Sequence, residues 1–212
     1  GPYTSQQIKD EIAAGGVFIS YIGQSGTQTW DNSIGDPIQL QNTQGKFPLI
    51  TDFGCSTGKF AEPQITSFSE SFIIGSTSSV IGYIGNSALG FTSIAAQLPI
   101  EFYKKILHDS VLTIGKAHLQ GKVAMALNNF SAVNSVMLYT NTLVGDPSID
   151  LAVPFKPNLS VTPTNIRTQN IISEEMDSVA VTVAVMNFGS TISDSVDIYF
   201  QHRFNGQVIK NV

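Results

Sequence analysis

The chain has 212 residues, of which 42% are hydrophobic and 13% charged, with a formal net charge of −5. This describes a folded chain of one domain or one and a half, and excludes a disordered one. No Lys/Arg cluster favours nucleic acid, and no apolar run approaches the ~20 residues of a membrane helix. The single cysteine excludes an internal disulfide and a multi-cysteine zinc cluster.

The polar, low-charge texture, rich in Ser, Thr, Asn and Gln, fits a secreted or surface protein. No signal peptide opens the chain, but Gly1-Pro2 has the form of a cleaved-tag remnant, so its absence says little about compartment. Residues 4–14 read as a short helix capped by Thr4 or Ser5 and stopped by Gly15-Gly16, with Ile8, Ile12 and Ala13 inward. Gly16–Gly23 is an apolar strand. Residues 25–45, with Trp30 in the middle, read as a loop containing a short helical piece. Phe47–Cys55 is a second buried-type strand, and 56–63 a loop. Ser67–Ile74 reads as a helix stopped by Gly75, and Ser79–Gly85 as a third strand running into Asn86-Ser87.

Leu98–His108 is an amphipathic helix with Leu98, Phe102 and Ile106 inward and Lys104 and Lys105 outward. A longer helix runs from Thr113 to about Phe130, with Ile114, Ala117, Ala124 and Leu127 as its inner stripe. Val136–Val144 carries apolar residues into Gly145-Asp146-Pro147, and Ile149–Val153 reads as a last short strand. Strands alternating with helices predict a mostly parallel α/β sheet. The proline-marked stretch 154–158 reads as a linker between residues 1–153 and a β-rich part, 159–212. In that part Val179–Val185 and Val196–Gln201 read as strands, and Asn187–Ser190 and Asn205-Gly206 as turns, the second making a two-residue hairpin. These read as the opening strands of an immunoglobulin-like sandwich, expected to need more strands than the sequence holds.

Two of the strands end alike: one at Gly23-Gln24-Ser25-Gly26, the other at Gly54-Cys55. Such ends meet at the carboxyl edge of a parallel sheet, where open α/β folds place their chemistry. Cys55 there is either a nucleophile, given a base or a lowered pKa, or a small buried hydrophobe. Gly54 would remove a side chain that crowds a substrate. Gly54–Phe60 is not a phosphate loop, because three residues separate its glycines and Phe60 follows Lys59. His108, His118 and His202, the three histidines, follow no strand end and read as surface or structural. Trp30 and Phe60 read as core or pocket wall, Glu70 as pointing to the site or to solvent, and Asp146-Pro147-Ser148 as a structural turn.

Five segments together resemble the gingipain-type cysteine peptidases. These are Tyr21–Gly26 followed by Trp30, Asp52–Phe60, Ser67–Phe72, Val80–Ser87 and Leu143–Ile149, in family order across residues 4–153. The resemblance implies a caspase-like α/β fold and a secreted or surface bacterial endopeptidase, with Cys55 as nucleophile. It implies oxyanion donors among the backbone N–H groups of Cys55, Ser25, Gly26 and the adjoining Gly54. It places Trp30, Glu70, Asn86 and Ser87 around the pocket. It calls for a peptide or protein substrate and no required cofactor, and it leaves room for a structural calcium. It also implies a preceding α/β half of the peptidase domain.

The departure is at Gln24, 31 residues before Cys55, where the resemblance puts the catalytic histidine. Glutamine exchanges hydrogen bonds but shuttles no proton near neutral pH. The chain therefore reads as a disabled peptidase, engineered or natural. The alternatives are a surface module binding peptide or protein in the degenerate cleft, or a purely structural α/β domain with Cys55 buried.

Overall fold

The computed structural model describes residues 3–32, 34–40, 42, 45–75, 80–128, 131–168, 178–193, 195–199 and 201–211. Within the predicted elements, Ser79, Asn129, Phe130 and Phe200 lie outside the described residues. The chain divides into two compact units, Gly1–Val153 and Pro154–Val212.

The first unit opens with helix α1 (Ser5–Ala14). Thr4 caps it reciprocally with Gln7, and Gly15, at φ +76°, ends it. Ile12 is buried and Ile8 packs against the same core, but Ala13 is exposed. Strand β1 (Phe18–Tyr21) follows, then a small hairpin of β2 (Ser25–Gly26) and β3 (Thr29–Trp30). The hairpin occupies part of the stretch expected to be loop, and Pro37–Gln39 supplies its short helical piece as a 3-10 turn. Strand β4 (Leu49–Asp52) is buried at every position and stops three residues short of Cys55. Helix α2 (Phe68–Ile74), strand β5 (Gly82–Asn86), helices α3 (Gln97–Leu107), α4 (Ile114–Asn128) and α5 (Ala132–Thr140), and strand β6 (Asn141–Gly145) complete the unit.

The sheet has the order β1-β4-β5-β6. The first three strands are parallel and β6 is antiparallel to β5, in a register that sets Asn141 opposite Asn86. This is the mostly parallel, helix-flanked sheet expected. One core, with Ile12, Trp30, Ile50, Phe68, Phe72 and Tyr83, lies under α1 and α2. Another, with Leu49, Ile84, Phe102, Ile106, Ile114 and Ala117, lies under α3 and α4. Leu49 and Ile50 face opposite cores, as strand alternation demands, and burying each contributes roughly 1.5–3 kcal/mol.

Two expectations are corrected. The inner face of α4 is Ile114, Ala117, His118, Gly121 and Met125, while Leu127 is exposed. Gly121 belongs there because its helix presses on the Phe102 backbone, where an added Cβ would sit 3.1 Å from Phe102 Cα. Residues 149–153 form no strand. Asp150 makes only a single bridge to Thr113, whose hydroxyl donates to the Asp150 carboxylate at 2.6 Å.

The second unit contains three two-stranded antiparallel ladders among its described residues. They pair β7 (Leu159–Ser160) with β10 (Met186–Asn187), β8 (Ile166–Thr168) with β9 (Val181–Val183), and β11 (Gln201–Phe204) with β12 (Gln207–Asn211). Asn205 and Gly206 take φ values of +46° and +81° and close the last as a two-residue hairpin. Residues 196–199, expected in a strand, join no ladder.

Candidate active site

Parallel pairing of β1 with β4 sends both strands out at the same carboxyl edge, and the segments that follow meet there. Ser25 Oγ accepts the Cys55 N–H at 2.6 Å and donates to the Cys55 carbonyl at 2.9 Å. This clasp brings residue 24 next to the cysteine loop. Gly54 makes the clasp feasible. A Cβ there would lie 2.1 Å from Ser25 Oγ and 2.8 Å from the Gly23 carbonyl oxygen. The glycine thus makes room for the hairpin rather than for a substrate.

Beneath the clasp lies a residue that sequence reasoning passed over. Asp52, at the last position of β4, is fully buried. Its Oδ2 accepts from Trp30 Nε1 at 2.6 Å, the Thr57 hydroxyl at 2.7 Å and the Tyr83 hydroxyl at 2.6 Å. Its Oδ1 accepts the Gly54 N–H at 2.7 Å. Burial raises its carboxyl above the usual value, while donation from Tyr83, Thr57, Trp30 and Gly54 pulls the other way. Burial, and then the Asp52 charge, push the Tyr83 phenol well above its ordinary value, which keeps it a donor. One carboxylate therefore ties the Trp30 hairpin to the Cys55 loop. The only signal in the sequence is a charged residue closing an apolar run.

Trp30 stacks on Tyr21 with ring centroids 4.6 Å apart. The Tyr21 hydroxyl in turn donates to the Gln24 carbonyl at 2.6 Å. The Gln24 backbone is thus held from below, while the residue itself is exposed. Cys55 is half-buried, and its Sγ accepts the Gly90 N–H at 3.3 Å.

The expected oxyanion donors are rearranged. The Cys55 N–H is engaged by Ser25 and the Gly54 N–H by Asp52. Asp31 donates to the Gln24 carbonyl, so the antiparallel alternation of β2 and β3 places the Gly26 N–H on Thr29. It leaves the Ser25 N–H outside the ladder.

The expected pocket residues are also reassigned. Trp30 and Asn86 are buried and support the site from below. Glu70 accepts from the Ser67 N–H and hydroxyl in the capping box of α2. Ser87 ties β5 to the Thr140 carbonyl. Phe60 is exposed. A cleft of about 400 Å³ runs beside β1, with Ile12, Ile19, Tyr21 and Trp30 among its walls, and neither Gln24 nor Cys55 lines it.

His108 is exposed and pairs with Asp109. His118 is buried against Asn141, and the His202 ring lies outside the described side chains. Among the described residues no three His, Cys, Asp or Glu side chains converge. Among the described residues no helix is long and apolar enough to cross a membrane.

A cysteine and a facing hairpin, delivered to one carboxyl edge of a mostly parallel, helix-flanked sheet, are the arrangement of a caspase-like α/β fold. Residues 2–152 match peptidase family C25, and the chain belongs to that family.

The fold is similar to the crystal structure of the Arg-specific cysteine proteinase gingipain R (RgpB), with TM-score 0.64 and 22% identity over 76% of this chain and 40% of that one. It matches the complex of Porphyromonas gingivalis RgpB pro- and mature domains equally well, over 76% of this chain and 41% of that one. A further structure, described only as that of a protease, matches with TM-score 0.59 and 17% identity over 74% of this chain and 40% of that one. The chain therefore spans about 40% of the length of the structures it matches. No curated protein matches it.

Proposed function

We propose that this chain carries the cysteine side of a gingipain-type endopeptidase centre whose proton-transfer position is occupied by Gln24. The centre is then a disabled peptidase site, engineered or natural. The observation that supports this reading is the two-way clasp between Ser25 Oγ and the Cys55 backbone, which joins the residue after Gln24 to the cysteine loop. In a working centre the sulfur attacks the peptide carbonyl, and an imidazole at position 24 protonates the leaving amine. The Ser25 N–H, outside the ladder, faces the developing oxyanion. The Gln24 amide supplies a hydrogen bond but no proton, a loss of about 10²–10⁴ in rate.

The reading calls for a peptide or protein substrate, a secreted or surface location, and no cofactor. A preceding α/β half, as a separate chain or as more of this one, would complete the peptidase domain. The second unit is assigned as an immunoglobulin-like module from its short antiparallel ladders. Gln24 also favours a second reading, a surface module in which the groove only binds.

One experiment separates the two. Gln24→His in the full-length protein is expected to produce thiol-dependent peptide cleavage that Cys55→Ala abolishes. A folded Gln24→His protein that protects Cys55 from alkylation when peptide is added, yet cuts nothing, would establish the binding module instead.

A further inference from the structure

We propose that His118 and Asn141 are positioning residues for Cys55, acting through Asn86 on the Gly54–Cys55 peptide. The proposal rests on the reading of Cys55 as the centre of the site. His118 Nε2 lies 2.7 Å from Asn141 Oδ1, Asn141 Nδ2 donates to Asn86 Oδ1 at 2.9 Å, and Asn86 Nδ2 donates to the Gly54 carbonyl at 2.7 Å. The far side of that peptide, the Cys55 N–H, is the group clasped by Ser25.

The relay has one polarity. The Gly54 carbonyl only accepts, so Asn86 presents its NH2 group there and its oxygen to Asn141. Asn141 must then donate to Asn86 and accept from His118, which places the imidazole proton on Nε2. Asn86 and Asn141 are almost wholly buried and His118 nearly so, which strengthens each link. Burial, and then Lys122 nearby, depress the His118 pKa to about 4, so the ring is neutral and keeps this tautomer at ordinary pH. Lys122 Nζ braces the relay by donating to the Asn141 carbonyl.

Asn86 governs the sulfur as well as the backbone. Gly90, whose N–H donates to Cys55 Sγ, nests against the same groups. A Cβ on it would lie 2.9 Å from the Gly54 oxygen and 3.3 Å from Asn86 Nδ2. Helix α4 thus reaches the thiol through two side-chain amides that face each other across β5 and β6.

Amide hydrogen exchange on the chain with Gln24 in place tests this. His118→Leu is expected to speed exchange of the Cys55 and Gly90 amides about fivefold beyond any change at Leu49 and Ile50, the effect of one net hydrogen bond. His118→Gln keeps a donor and should restore the original rates. Asn141→Ser cuts the relay without altering α4. It should give the same local signature, and it decides the matter should His118→Leu not fold. Uniform acceleration across the sheet, no change at Cys55 and Gly90, or a His118→Gln variant behaving like His118→Leu would overturn the proposal. No turnover is needed, so a Gln24→His protein that cuts nothing bears on the peptidase reading and leaves this result standing.

Discussion

At position 54 the site's geometry depends on the absence of a single carbon. Gly54 lies where Ser25 Oγ, the Gly23 carbonyl and the Asp52 carboxylate converge, and any Cβ must push at least one of them aside. Gly54→Ala is expected to cost about 1–3 kcal/mol, the usual price of overpacking. The cost should shrink in a Ser25→Ala background, which removes the nearest atom but not the Gly23 carbonyl. Denaturant titration of the two single variants and the double variant measures the coupling. Strictly additive costs would show that the clasp and the glycine are independent.

Cys55 and Gln24 stand out in the sequence because each closes an apolar run with a glycine beside it, although the strands themselves end three residues earlier, at Asp52 and Tyr21. Asp52 does not stand out, although it ties the two segments together. Its four donors come from positions 30, 54, 57 and 83, and only the folded sheet brings them to one carboxylate. The role of Gly54 was misjudged for the same reason. The sequence shows that a side chain is missing but not which neighbour takes the space.

Among the elements, those with local punctuation were readable and those defined by packing were not. Helix α2 shows the first kind. Ser67 and Glu70 form a capping box, and the Phe68 N–H extends the helix start onto the Thr27 carbonyl at 2.7 Å. Ser67→Ala is expected to cost about 1 kcal/mol. Glu70→Gln, which keeps the reciprocal bond, should cost under about 0.5 kcal/mol. Thermal or denaturant unfolding checks both, and a large Glu70→Gln loss would show that the carboxylate charge, rather than the reciprocal bond, holds the helix start.

The boundary between α5 and β6 shows the second kind. No glycine or proline marks Asn141, so Val136–Val144 looks like one apolar segment, and the antiparallel turn of β6 arises from its pairing with β5. On α4 Ile114 and Ala117 do face inward, but the hydrophobicity of Leu127 drew the rest of the stripe toward an exposed face. The actual stripe runs through Gly121, chosen for closeness to α3, and through His118, chosen for the relay.

On the scale of the whole molecule, a buried neutral histidine makes stability depend on acidity. His118 titrates at about 4 in the folded chain against 6.5 when unfolded. Between those values the unfolded chain binds the extra proton, so stability rises with pH across the window. The contribution is complete above about pH 6.5 and is lost as pH falls toward 4, an effect of roughly 3 kcal/mol for this nearly buried ring.

Asp52 acts in the opposite sense. Its raised value means that the folded chain takes up that proton first as pH falls, so acidification relieves its burial and offsets part of the loss. Trp30 is the only tryptophan and lies in the core of the first unit, so its fluorescence reports unfolding of the unit that holds the site. The denaturant midpoint read from Trp30 is expected to fall between pH 7 and pH 4.5 and to fall much less in His118→Gln, whose amide keeps the relay's donor but takes up no proton. Equal falls in the two proteins would place the acid sensitivity elsewhere and remove His118 from the account of stability.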